Sequence, residues 1–113
     1  MAAIYNLKDQ IYSDSFLGAT FTVTREIDGS PVDLRNVNIT AEFRGGFDNK
    51  IMKTCTIGND ITVEDPLAGI FRIGNFEITM PVGPYTYSIQ IEFLDSGIKR
   101  TYLKGVMNVL TKN

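Results

Sequence analysis

The residue types able to do chemistry are few in this chain, and they are scattered. Its 113 residues include no histidine and one cysteine. A serine or cysteine nucleophile needs a base beside it, usually an imidazole, so Ser-His-Asp and Cys-His arrangements are excluded. Zinc needs imidazoles or several thiolates, and neither set exists here. Cys55, in "MKTCTIG", reads as a small buried hydrophobe with nothing to activate it, and a lone cysteine admits no intrachain disulfide. The carboxylates stand singly or at turns: Asp9, Asp14, Asp28, Asp33, Asp60, Glu64, Asp65 and Asp95. Any two could meet in space as a glycosidase pair, yet turn chemistry already accounts for Asp28, Asp65 and Asp95. Asp60, Glu64 and Asp65 are close enough in sequence to suggest calcium, but no EF-hand spacing surrounds them. "FRGGF" lacks the lysine and the following helix of a phosphate-binding loop. The expectation is a protein that is not an enzyme, with no catalytic residue, no cofactor and no metal.

Composition narrows the partners. The net charge is −2 and the pI near 5.0. The one basic cluster, Lys99–Arg100 with Lys104, reads as a solvated strand face, so no nucleic acid is expected. Apolar residues make up 43% and charged residues 21%, which suits a globular domain and is too apolar for disorder. A chain of this size buries roughly two-thirds of its extended surface, enough for one core without staples. The amino-terminal "MAAIYNLKDQIYSDS" has neither the charged start nor the apolar stretch of a signal peptide. No run approaches the roughly 18 apolar residues of a membrane span. No membrane is expected, and synthesis and assembly are expected in a cytoplasm.

The elements that would position any site are strands. Alternation of apolar and polar residues recurs about every 8–12 residues between Gly, Pro and Asp punctuation, the pattern of a sandwich or barrel. The expected fold is all-β: an immunoglobulin-like antiparallel β-sandwich of about seven to eight strands over 16–113, preceded by an arm or first strand over 1–15. In "ATFTVTREI", Phe21, Val23 and Ile27 share one face, and the "DGSP" turn returns Val32 opposite Ile27. "NITAEFR" puts Ile39, Ala41 and Phe43 inward. "GGFDNK" is a loop with Phe47 awkwardly placed. "DITVEDPLAGIFRI" is a hairpin pairing Ile61 with Ile73, Val63 with Phe71 and, outward, Thr62 with Arg72, around a Pro66 turn that Gly69 closes. "GNFEITMPVG" is open between an irregular crossing, a short strand and one helical turn near 74–80.

"VGPYTYSIQIEFLDSGIKRTYLKGVMNVL" is a long hairpin. A three-residue loop, Asp95-Ser96-Gly97, gives the best register. It pairs Ile91 with Thr101, Ile89 with Leu103, Tyr87 with Gly105 and Tyr85 with Met107 inward, with Tyr87 covering the glycine. Outward it sets Glu92 against Arg100. The other face of the last strand then carries Ile98, Tyr102, Val106 and Leu110, with Leu94 beside them. A wet apolar strand invites unwanted pairing, so this stripe is expected either to contact another subunit or to be covered by residues 1–12 or "GNFEITM". Ile4, Tyr5 and Tyr12 of the arm are further partner-binding residues, expected to pair along a sheet edge of this chain or a neighbour. A sugar-binding reading competes, with Tyr5, Tyr12, Tyr85, Tyr87, Tyr102, Phe16 and Phe47 as stacking platforms.

Three segments carry a resemblance: "PVDLRNVNITAEFR", "ITVEDPLAGIFRI" and "MPVGPYTYSIQIEFLDSGIKRTYLKGVMNV". In this order, over roughly 16–110, they resemble the small immunoglobulin-like β-sandwich domains of tailed-phage virion proteins, such as the amino-terminal domain of siphophage baseplate upper proteins. Ser88 stands where that family usually has Asp. The resemblance implies a non-enzymatic virion structural protein: a tail, baseplate, fibre-anchor or head-associated adaptor located in the virion and assembled in the host cytoplasm. Its partners would be other virion structural proteins, met as a symmetric homo-oligomer or as copies on a symmetric core. The alternatives are a carbohydrate-binding module and a bacterial surface or adhesion domain.

Overall fold

Alternation decides the long strands. In "VNITAEFRG" every second residue is apolar or small, so an extended chain buries Val37, Ile39, Ala41, Phe43 and Gly45 on one side. The same rule buries Tyr85, Tyr87, Ile89 and Ile91. A computed structural model describes residues 3–25, 27–45 and 49–111. The strands are β1 (Ala3–Ile4), β2 (Gln10–Ile11), β3 (Ser15–Phe16), β4 (Ala19–Thr22), β5 (Val37–Gly45), β6 (Lys50–Ile57), β7 (Asp60–Asp65), β8 (Ile70–Ile73), β9 (Phe76–Glu77), β10 (Gly83–Phe93) and β11 (Ile98–Leu110). The protein is all-β; the single helical element among the described residues is a 3₁₀ turn at Pro66–Ala68.

The larger sheet is curled and mixed, in the order β1-β11-β10-β5-β6-β7-β8-β4, with β2 also on β11; β3 and β9 form a separate pair. Its parallel pairs are β1 and β2 on β11 and the two-residue corner between β6 and β7. The ends of the sheet approach each other: Tyr5, just after β1, sets its ring edge-on to Phe21 of β4 at 6.1 Å. The core lies inside the curl. Ile39, Phe43, Cys55, Ile89, Ile91 and Met107 from one half meet Ile61, Phe71, Ile73 and Val23 from the other. Phe43 stacks on Tyr87 at 5.8 Å and Phe21 on Phe71 at 5.4 Å.

Both hairpins fold around their turn residues. Ile61–Ile73, Thr62–Arg72 and Val63–Phe71 pair as the sequence indicates. Asp65 caps the 3₁₀ turn by accepting from the Ala68 N–H at 3.3 Å, and Gly69 closes it at φ +72°. The terminal hairpin keeps the expected register from Gly83–Val109 to Ile89–Leu103. It then departs from it. A bulge at Tyr102 pairs Gln90 with Thr101, Ile91 with Arg100 and Glu92 with Lys99. The loop is four residues, Leu94 to Gly97, because Phe93 pairs with Ile98.

One further expectation is corrected, and one left open is decided. Ile27 is 86% exposed, not inward. The turn starts earlier: Arg25 N–H donates to Ser30 O at 2.7 Å, and Asp28 Oδ1 accepts from the Ser30 N–H and hydroxyl at 3.0 and 2.7 Å. Val32 therefore bonds back to Val23. "GNFEITMPVG" supplies a short strand, β9 on β3, with Ile78 and Met80 buried beyond it, and no helical turn. Phe47 lies outside the described residues.

Candidate functional site

The bulge rearranges the predicted stripe. Paired residues share a face, so residues opposite Tyr85, Tyr87 and Ile89 point toward the core, and those opposite Thr86 and Ser88 point outward. Val106 pairs with Thr86 and lies outward, as does Leu110 four residues on. One extra residue at the bulge flips everything before it. Ile98 consequently pairs with Phe93 on the core-facing side, beyond the end of the core. Tyr102 is half-buried: its ring stands edge-on to Phe93 at 6.3 Å and helps line a 170 Å³ cavity with Phe21, Phe71, Ile89 and Leu103. The stripe is thus split. Leu94 and Ile98 form an exposed tip, 47% and 52% accessible; Val106 and Leu110, 43% and 42% accessible, form a second exposed patch.

The amino-terminal arm covers the edge of β11 and leaves that outward patch open. Ile4 lies beside Lys104 in the parallel register. The N–H groups of Tyr5, Leu7 and Tyr12 donate to the carbonyls of Lys104, Val106 and Leu110, each at 2.9 Å. Asn6 Oδ1 accepts from Val106 N–H at 3.2 Å, and Asp9 Oδ1 from the Asn108 side chain at 3.3 Å. The seat is shaped for main chain. Gly105 has no Cβ where the Tyr5 carbonyl lies, and the buried Tyr87 hydroxyl donates to that carbonyl. Burial, with Tyr5 nearby, pushes the Tyr87 hydroxyl up to about 12, so it remains a donor at every physiological pH. Tyr87 over Gly105 was legible in the sequence; the Tyr5 carbonyl between them was not.

Beside the Val106 patch, a shallow groove of 380 Å³ runs along Asn6, Glu42, Arg44, Thr86 and Lys104. Glu42 and Arg44 form an ion pair across it at 3.3 Å. A larger open cleft, 690 Å³, sits at the hairpin tip between Arg25, Asp33, Arg35, Asn36, Phe93, Asp95 and Tyr102. Arg35 holds Asp33 through a forked contact with a closest approach of 2.7 Å. This contact keeps the Asp33 carboxyl below its usual range. Asn36 donates to Asp95 at 2.6 Å. Sequence reading missed this cleft, because its walls lie 59 residues apart.

The other chemically capable residues stay apart. Cys55 is buried in the core, and desolvation pushes its thiol up to about 11. Asp60, at φ +77°, pairs with Lys53 at 2.8 Å, while Asp65 caps the turn at the opposite end of β7. Among the described residues no group of three or more His, Cys, Asp or Glu side chains is placed to hold a metal ion. No described helix is long and apolar enough to cross a membrane. Of the expected stacking residues, Tyr85, Tyr87 and Phe16 are buried and Tyr5 and Tyr12 exposed; among the described members of the set, Tyr102 alone lines the tip cleft. No family model and no curated protein matches the chain.

Proposed function

We propose that the protein is a non-enzymatic structural subunit of a tailed-phage virion that works by docking on neighbouring subunits. The observation that carries this reading is the exposed pair Val106 and Leu110, on the outward face of β11 beside the edge that the arm occupies. With 43% and 42% of their surface still accessible, these two side chains gain roughly 0.6–1.3 kcal/mol each on full burial, enough to contribute to a weak or symmetry-repeated contact. The ordered sequence resemblance supplies the virion context. The finer fold reading belongs with it: an immunoglobulin-like sandwich with β11, β10, β5 and β6 in one layer and β7, β8 and β4 in the other. In its favour, the Tyr85 hydroxyl donates to the Pro81 carbonyl four residues upstream, as in the tyrosine corner of such sandwiches.

The test is Val106→Glu with Leu110→Lys, assayed for incorporation into particles from a phage that carries the gene. A folded variant that fails to incorporate supports docking through this patch; full incorporation refutes it. A second reading has its own observation. The tip cleft joins two aromatic side chains, Phe93 and Tyr102, to a rim of balanced charges, which suits a neutral polyhydroxyl ligand. A glycan array that responds to the parent and not to Tyr102→Ala would favour the carbohydrate-binding module.

A further inference from the structure

We propose that residues 3–12 are an exchangeable strap, and that the edge of β11 is a receptor able to take the strap of a second copy of this chain. Three features argue for it. The seat needs an occupant. Without one, the Tyr87 hydroxyl loses its acceptor and the edge of β11 presents a row of unpaired backbone groups, the situation natural sheets avoid. The seat reads main chain. Gly105 admits the Tyr5 carbonyl, and backbone N–H groups of Tyr5, Leu7 and Tyr12 carry the pairing. Among the strap's described side chains, Leu7 packs on the core, while Tyr5, Lys8, Asp9 and Tyr12 are exposed.

The third feature is the hinge. The chain is tied to the rest of the molecule immediately after the strap: Ser13 N–H donates to Ile78 O at 2.9 Å and Ile78 N–H to Asp14 O at 2.8 Å. Ser13 itself turns at φ +70°. A change of backbone angles at 12–13 would swing the strap away with the sandwich intact. Extended, its ten residues reach about 33 Å, far enough to lie on a neighbour. A second copy's strap would make the same bonds in the same seat, which is what makes strand exchange inexpensive. The occupant is therefore this chain's own segment, held by a neighbour.

Two variants, each with one added cysteine, test it. The register sets Ile4 beside Lys104, and neighbouring strands lie about 4.7–4.9 Å apart, inside the roughly 4.4–6.8 Å Cα separation a disulfide tolerates. Ile4→Cys and Lys104→Cys proteins, distinguishable by mass, are mixed at high concentration and oxidised gently with copper phenanthroline; Cys55 is fully buried and stays out of the reaction. Exchange predicts a 4–104 heterodimer well above the yield of either homodimer, lost when Gly105→Val is placed in the Lys104→Cys partner. The double variant I4C/K104C closes the bond within one chain when dilute and calibrates the yield. Homodimers at random proportion, or a heterodimer no more abundant than in urea, would overturn the proposal. So would failure of the dilute double variant to close its bond.

Discussion

Replacing Gly105 by alanine isolates the strap's seat. A Cβ there would run into the Tyr5 carbonyl oxygen, with the Tyr5 carbon at 2.7 Å and the Tyr87 ring at 2.9 Å. Backbone cannot yield as the end of a flexible side chain does, so the strap must lift. The bonds at risk are Tyr5 to Lys104, Leu7 to Val106, and Tyr87 to Tyr5. Two backbone bonds at about 0.5–1.5 kcal/mol each, and a stranded hydroxyl at about 1–3 kcal/mol, sum to about 2–6 kcal/mol. Alanine in an extended strand returns about 0.4–1 kcal/mol through the unfolded chain. A net loss of about 1–6 kcal/mol is expected, read by urea denaturation. Trypsin should also cut at Lys8 in the folded variant well before it cuts the parent, since the strap can open locally. Tyr87→Phe should cost about 0.5–1.5 kcal/mol in the parent but recover about 1–3 kcal/mol in G105A, because the hydroxyl it removes there is already stranded. Parental stability with a protected Lys8, or additive losses in the double variant, would refute the seat.

Phe43→Ala, which empties a fully buried ring site against Tyr87, should cost about 3–5 kcal/mol in urea melts. Native protein should not react with Ellman's reagent at pH 8, because burial holds the Cys55 thiol protonated to about 11; unfolding in guanidinium should release one thiol. Tyr87 is neutral in the fold up to about 12, against 10.0 for a free phenol. The unfolded chain releases that proton first, so the stabilisation is complete below pH 10 and is lost as pH rises from 10 to 12. Thermal melts should fall through that window, with Cys55 adding to the fall between its ordinary 9.0 and about 11, and Tyr87→Phe should make the fall shallower.

The long strands and the hairpin registers were legible because period-2 burial and turn residues are local. Ile39, Ala41 and Phe43 announce a face; Asp65-Pro66 and Gly69 announce a turn. The bulge at Tyr102 carries no such mark, since "RTYLK" contains no glycine, proline or asparagine. It is set by what the ring finds: Phe93 across the hairpin and the cavity beside Phe21 and Ile89. Reading a continuous alternation through it put Ile98 and Tyr102 on the wrong face. Parallel pairing of the strap with a strand 100 residues away leaves no sequence signature either. Gly105 was the one clue, and one aromatic neighbour sufficed to account for it. Gly45 repeats the lesson, for the Tyr85 ring occupies the place of its Cβ. Ile27 was misplaced because the Asp28–Ser30 side-chain bonds tighten the turn beyond what "DGSP" specifies by itself.

The terminal strand looks apolar on both faces because it meets three different environments. Met107 and Val109 face the core. Tyr102, thrown inward by the bulge, plugs the end of that core. Val106 and Leu110 face outward, and among the described residues they stay 43% and 42% accessible. A strap that lay across the face would have hidden them; one that pairs edge-on instead extends the sheet and sets Tyr12 beside Leu110 through a backbone bond. The exposed apolar pair and the exchangeable segment are therefore contiguous. A neighbour that receives the strap is brought against Val106 and Leu110 by the same movement. The two contacts then reinforce each other, because strap exchange holds the neighbour at high effective concentration while the patch supplies apolar burial that the mostly main-chain strap lacks.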